Sequence, residues 1–159
     1  MIEHKILFTG VTGAGKTTAI GAVSEIPPLS TDVRNTDVNL SKAMTTVGMD
    51  YGELTLDNGE KLRLYGTPGQ QRFDFMWKIL SNGALGLIIL IDNSQSDPMD
   101  DLDRYLKGFA ELIENTACVV AVGRLETHPQ PGIEQFAAHL EKSGVLCPVL
   151  PADVRERDQ

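Results

Sequence analysis

Eight consecutive residues, Gly10-Val11-Thr12-Gly13-Ala14-Gly15-Lys16-Thr17, carry the densest chemistry in the chain. They fit the pattern G-x-x-x-x-G-K-[ST], in which each specified residue type has a task. Gly10, Gly13 and Gly15 let the backbone curl so that successive N–H groups point inward at an anion. Lys16 sets an ammonium among phosphate oxygens, and the Thr17 hydroxyl is a hard ligand of the kind Mg²⁺ takes. Val11, Thr12, Ala14 and Thr18 complete the cradle. A helix beginning at Lys16 adds its positive dipole end to the same anion site.

Such a loop requires a strand before it and a helix after it. Lys5-Ile6-Leu7-Phe8-Thr9 is a short apolar strand leading in, and Thr17 to Val23 has helical character leading out. Pro27-Pro28 ends that helix, since two prolines cannot continue its hydrogen-bond ladder. Residues 29–45 are polar and read as irregular, with a weak helical turn at Val38 to Met44; a connection this long within a compact domain is usually functional.

The rest of the chain reads as the scaffold. Val47 to Leu56 is a strand, Asn58-Gly59 a hairpin turn, and Lys61 to Tyr65 the returning strand, with clean alternation. Arg72 to Leu80 is a short helix. Ala84 to Asp92 is an uninterrupted apolar run, as in a central strand buried on both faces. Asp97-Pro98 starts a helix whose Leu102, Tyr105, Leu106, Phe109, Leu112 and Ile113 repeat at helical spacing. Cys118 to Val122 is another buried strand. Pro131 to Lys142 is an amphipathic helix with Ile133, Phe136, Ala137 and Leu140 inward, and Val145 to Leu150 is the last strand. The order β-α-β-β-α-β-α-β-α-β makes residues 1–159 one α/β domain, with six mostly parallel strands, one antiparallel edge strand and helices on both faces. The polar stretch from Asp153 is too short for a helix to follow the last strand. The expectation is a shortened form of a longer protein, or a partner over the bare face.

Composition narrows the functions. A net charge of −8 argues against nucleic acid or an anionic membrane as the main partner. The longest apolar run is far too short to cross a bilayer, so no membrane insertion is expected and a cytoplasmic setting is. Cys118 and Cys147 lack metal spacing and read as buried reduced thiols. His4, His128 and His139 show no ligand spacing and read as surface residues.

Two further stretches stand in register with the phosphate loop: Thr45-Thr46-Val47-Gly48-Met49-Asp50 and Gly66-Thr67-Pro68-Gly69-Gln70-Gln71-Arg72-Phe73. Together the three resemble the Ras-like small GTPases over nearly the whole chain. Within them the likeness is greatest to the bacterial group of gliding-motility polarity and conservon GTPases. The resemblance implies a switch protein binding GTP and GDP, with slow Mg²⁺-dependent hydrolysis and switch regions around 29–46 and 66–80. Thr46, with Thr45 the alternative, resembles the first-switch threonine that closes on Mg²⁺ and the γ-phosphate. Gly69 resembles the glycine whose N–H meets that phosphate, and Gln70 the glutamine that orients the attacking water, so Gln70 and Lys16 are the catalytic pair. Arg34 is a candidate arginine finger, although a solvated loop charge is the favoured reading.

The sequence departs from the family pattern twice. Gly66 stands where most of the superfamily has an aspartate reaching Mg²⁺ through water, which weakens metal binding without forbidding it. Gly123-Arg124-Leu125-Glu126 stands where N-K-x-D reads the base. Glu126 keeps a carboxylate for guanine's N–H groups, Arg124 can lie along the base, and Ala152-Asp153 resembles the last base-contacting loop. Guanine is favoured over adenine by analogy. The alternatives are a nucleotide-binding scaffold with little hydrolysis, or a small ATP-using protein; a metabolite kinase lacks its arginine-rich lid here. Relatives of this type are served by small roadblock-fold regulators, which implies such a partner at the switches. On the helix after the second switch, Phe73, Met76, Trp77 and Leu80 form one stripe that should pack on the sheet, while Phe75 and Ile79 lie off its centre. Either the core face is slightly wide or, the favoured reading, these two mark a docking surface, with Phe75 the exposed anchor.

Overall fold

The computed structural model describes residues 2–11, 13–34, 46–68 and 74–157. The elements run β1 (Glu3–Gly10), α1 (Lys16–Val23), β2 (Leu29–Arg34), β3 (Thr46–Thr55), β4 (Lys61–Gly66), α2 (Asp74–Ser81), β5 (Ala84–Asp92), α3 (Pro98–Gly108), α4 (Ala110–Asn115), β6 (Ala117–Gly123), α5 (Ile133–Lys142) and β7 (Val149–Pro151). They form one sheet in the order β2-β3-β4-β1-β5-β6-β7. β3 runs antiparallel to both neighbours, while β4, β1, β5, β6 and β7 are parallel.

The six expected strands are present, and the mostly parallel architecture stands as expected. The irregular reading of residues 29–45 is corrected in its first part. Leu29–Arg34 pairs with β3 along its whole length, from Leu29 opposite Tyr51 to Arg34 opposite Thr46, so β2 covers the edge that β3 was expected to form. The strand was hidden because its pairing is a backbone matter and its sequence, LSTDVR, shows little apolar alternation. The turn expected at Val38 to Met44 lies outside the described residues.

Side chains of successive strand residues point to opposite faces, and the core divides accordingly. Leu7, Leu87, Ile89, Ile91, Val120 and Val122 face α2 to α5, whose Trp77, Tyr105, Phe109 and Phe136 fill that layer. Phe8, Leu64, Leu90 and Ala121 face the other way, against Ala19 and Ile20 of α1 and the partly buried Ala152 and Val154. β5 is buried on nearly all positions, as a central strand must be, with Leu85 the exposed exception at its start.

Local signals account for the element ends. Asp97 caps α3, its carboxylate accepting from the Asp100 N–H at 3.0 Å with Pro98 in the first turn. The helix expected from Asp97 to Ile113 divides at Gly108-Phe109, where a Cβ on Gly108 would lie 2.5 Å from the Trp77 ring. Gly59, at φ +85°, closes the β3–β4 hairpin.

Three smaller expectations are corrected. Ala137 is exposed, because α5 buries only a narrow stripe centred on Phe136 and Leu140. The last strand begins at Val149, not Val145. Cys147 therefore sits half-buried in the preceding loop, its thiol donating to the Cys118 carbonyl at 3.0 Å. Both cysteines are free thiols. His4 pairs with Glu60 at 2.9 Å and His139 with Asp103 at 2.6 Å, near the surface and away from the phosphate loop. No helix among the described residues is long and apolar enough to cross a membrane.

Candidate nucleotide site

The chain runs from β1 through α1 to one side of the sheet and later returns to β5 on β1's other side. The carboxyl end of β1 is therefore a topological switch point, where open α/β sheets bind ligands. The phosphate loop begins there. Gly10 admits no side chain, since a Cβ would sit 2.6 Å from the Leu90 carbonyl oxygen. Gly13 and Gly15 have φ of +84° and +102°, which L side chains rarely adopt. Gly15 is also pressed by Val154, whose Cγ2 would lie 2.8 Å from an added Cβ. The loop is thus wedged between β5 and the segment after β7.

Lys16, at the first turn of α1, folds back over the loop and donates to the carbonyls of Gly10 at 2.6 Å and Val11 at 2.9 Å. Burial pushes its pKa down to about 8, against the opposing pull of Asp50. A cation held at that cost has its natural compensation in an anion at the loop. Thr17, the next residue, donates its hydroxyl proton to Asp50 Oδ2 at 2.6 Å.

An open cleft of about 730 Å³ runs from the loop across the ends of β5 and β6, a size that suits a small organic ligand. Lys16 and Thr17 line it, and so do Arg124, Glu126, Ala152 and Asp153. The structure therefore brings residues more than a hundred positions apart into one site. Arg124 links the two groups, donating to the Gly13 carbonyl and to Asp92 Oδ2, both at 3.2 Å. Its φ of +63° is uncommon for a residue with a side chain, and strain of this kind recurs at functional sites. Burial alone would raise the Asp92 pKa. Hydrogen bonds from Ser94 and Gln95, together with the Arg124 charge, outweigh it and hold the carboxyl below its usual range. Asp153 is held down to about 2 by the bidentate guanidinium of Arg155.

Sequence reasoning overlooked Asp50 and Asp92. Asp50 belonged to a quoted motif without a role of its own, and Asp92 ends a run whose apolar character drew the attention. Thr12, Thr45, Gly69 and Gln70 lie outside the described residues, as do the side chains of Arg34, Thr46 and Phe75. Thr67 is buried, and its hydroxyl donates to Thr9 Oγ1 at 2.7 Å. The next residue, Pro68, accepts at its carbonyl from the Trp77 indole N–H at 3.2 Å.

Comparison with known proteins bears on the fold and the family. An uncharacterized protein of Methanocaldococcus jannaschii is 30% identical over 100 residues, covering 62% of this chain and 57% of that protein. Ras-related protein Rab-12 of Homo sapiens is 25% identical over 122 residues, covering 75% of this chain and 46% of its own. Ras-related protein SEC4 of Saccharomyces cerevisiae is 29% identical over 122 residues, covering 75% and 52%. The chain spans about half the length of the curated relatives it matches. Among solved structures, the G domain of the T. maritima FeoB iron transporter superposes with a TM-score of 0.63. That match has 16% identity and covers 96% of this chain and 88% of the other, a likeness of fold. The fold is that of the Ras-like P-loop proteins. A family model described as "Conserved hypothetical ATP binding protein" matches residues 8–127, well over half of the sequence, and the chain belongs to that family.

Proposed function

We propose that this chain is a GTP-binding molecular switch that hydrolyses GTP slowly, of the bacterial type resembling the polarity and conservon GTPases. One observation supports the reading most: Arg124 donates to the Gly13 carbonyl, joining the phosphate loop to the proposed base-reading segment across one cleft. Lys16 would then meet the β- and γ-phosphates, and the Glu126 carboxylate the N–H edge of guanine. Gly66 fits the same bacterial subgroup. A cytoplasmic setting goes with this reading.

Magnesium suits the residues present. Among the described residues no group of three or more His, Cys, Asp or Glu could cage a metal, but Thr17 and Asp50 offer hard oxygens beside the loop. That is how Mg²⁺ is usually held, by one or two protein oxygens together with phosphates and waters. Thr17 would be a direct ligand, joined by Thr46 from the first switch. When bound, the ion neutralises charge developing on the phosphate oxygens. In hydrolysis, water oriented by Gln70 attacks the γ-phosphorus. The bond to the β–γ bridging oxygen breaks, its electrons leave on GDP, and the water protons pass to phosphate and solvent. Loss of the γ-phosphate frees Thr46 and Gly69, and both switch regions relax. A roadblock-fold regulator at these switches is the expected partner, and Ile79, 61% exposed on α2, gives it an apolar contact.

Gln70→Leu is expected to leave GTP affinity within about twofold while lowering single-turnover hydrolysis roughly tenfold or more, because water orientation is lost and phosphate contacts are kept. Equal rates would remove Gln70 from the mechanism and favour a nucleotide-binding scaffold.

The family description and Gly123 favour a second reading, an ATP-binding protein that uses the same loop. Competition calorimetry with GTP, GDP and ATP separates the two. GTP preference is expected, and Glu126→Ala should reduce it by about 1.5–3 kcal/mol, the range for a charge-assisted hydrogen-bond contact. Preference for ATP, unchanged in Glu126→Ala, would overturn the guanine assignment and keep the loop.

A further inference from the structure

We propose that Asp50 is the carboxylate that positions the magnesium ion in this protein, in place of the acidic residue that position 66 lacks. The inference rests on the nucleotide-binding reading above. It starts from sheet register: Asp50 on β3 is paired directly with Gly66 on β4. Directly opposed residues of an antiparallel pair present their side chains on the same face. The structure bears this out. A Cβ built on Gly66 would lie 3.2 Å from Asp50 Cβ and 3.4 Å from Asp50 Oδ2, so the space a side chain at 66 would enter is already lined by the Asp50 carboxylate. The acid has moved sideways by one strand, at the same level of the sheet. The glycine is what admits it.

Its contact is the one that matters to a metal. Thr17 is the hydroxyl ligand of the phosphate loop, and Asp50 Oδ2 accepts its proton at 2.6 Å. A hydroxyl that donates its hydrogen to a carboxylate has its lone pairs turned to the other side, toward a cation in the cleft, and its oxygen made more negative. This is how outer partners orient and strengthen metal ligands. A carboxylate also has lone-pair sites for several donors and can accept from metal-bound water as well as from Thr17. Asp50 lines the same cleft as Lys16 and Thr17, so its carboxylate would face water carried by an ion held at Thr17.

The test reads metal dependence by nucleotide release, independent of turnover. The protein is loaded with fluorescent GDP, and its release is followed while free Mg²⁺ is titrated, with excess EDTA as the metal-free limit. For Asp50→Asn, which keeps the shape and removes the charge, the Mg²⁺ concentration that half-suppresses release should rise about 10- to 100-fold. Its release in EDTA should match that of the parent protein. The double variant Asp50→Gly/Gly66→Asp returns the acid to the neighbouring strand, removes the Asp50 Cβ contact and should recover most of the Mg²⁺ dependence. An unchanged Mg²⁺ titration for Asp50→Asn overturns the proposal, as does a faster release that is equally large in EDTA, which would make Asp50 a structural support. A double variant as insensitive to Mg²⁺ as Asp50→Asn overturns the equivalence of the two positions. A parent protein that takes up no nucleotide fails at the earlier step, overturning the nucleotide reading and this one with it.

Discussion

Lys16→Ala is expected to lower affinity for GTP and GDP by at least about a hundredfold while leaving the fold nearly as stable as before. The two halves of that expectation have different origins. The ammonium supplies charge-assisted hydrogen bonds to phosphate, each worth roughly 1.5–3 kcal/mol, so losing two of them is two or more decades in affinity. In the free protein the same ammonium is held at a cost: it is nearly buried, and burial brings its pKa down to about 8. Alanine forfeits the hydrogen bonds to the Gly10 and Val11 carbonyls but also removes that desolvation cost. The net change in unfolding free energy should stay within about 2 kcal/mol, inside the ordinary range for single substitutions. Calorimetry with GDP and urea unfolding of the free protein measure the two halves separately. Unchanged affinity would sink the phosphate-loop assignment. Loss of binding accompanied by collapse of the fold would make Lys16 a structural residue first.

Much of this site was legible because the phosphate loop is a contiguous motif whose chemistry depends on residue type. Gly10, Gly13, Gly15, Lys16 and Thr17 announce themselves in one line of sequence. The structure adds only the reasons, such as the Leu90 carbonyl against Gly10. The proposed base end was harder, because Arg124 and Glu126 stand where the family's motif has lost its asparagine. Their place in the cleft becomes visible only when β6 is laid beside β5 and Arg124 reaches Gly13, 111 residues away in sequence. Asp50 was illegible for a different reason. Its role comes from cross-strand register with Gly66, and register is set by the hairpin at Asn58-Gly59 and not by any spacing between the two residues themselves. The absence of an acid at 66 was read as a loss, and only the pairing shows where a carboxylate stands instead. Edge strand β2 escaped for a related reason, because pairing of backbone groups leaves little trace in polar side chains. Ala137 was misplaced because helical periodicity fixes the centre of a buried face better than its width.

Trp77 joins the core to the segment proposed as the second switch, and its removal should be the most costly single change to stability. The ring is 2% exposed, stacked on Phe109 with centroids 4.8 Å apart and tilted against Tyr105 at 5.2 Å. It also lies directly over Gly108, where α3 gives way to α4. Trp77→Ala would open a cavity that rigid neighbours on α3 and α4 cannot close, at a cost of about 3–5 kcal/mol. That is a large fraction of the net stability of a domain this size. Trp77→Phe separates packing from hydrogen bonding. It keeps an aromatic ring against Phe109 and Tyr105 but strands the Pro68 carbonyl that the indole N–H now satisfies, and should cost roughly 1–3 kcal/mol. Because Pro68 lies in the segment proposed as the second switch, next to Thr67, which bonds to Thr9 of β1, Trp77→Phe should also alter nucleotide hydrolysis more than nucleotide affinity. Trp77 is the only tryptophan, so unfolding of the variants must be followed by far-ultraviolet circular dichroism, not by fluorescence. If Trp77→Ala lost less than about 1 kcal/mol, the α2–α3–α4 layer would not be the packed core described above. If Trp77→Phe were as damaging as Trp77→Ala, the hydrogen bond to Pro68, and not the aromatic stack, would be what holds α2 beneath the switch.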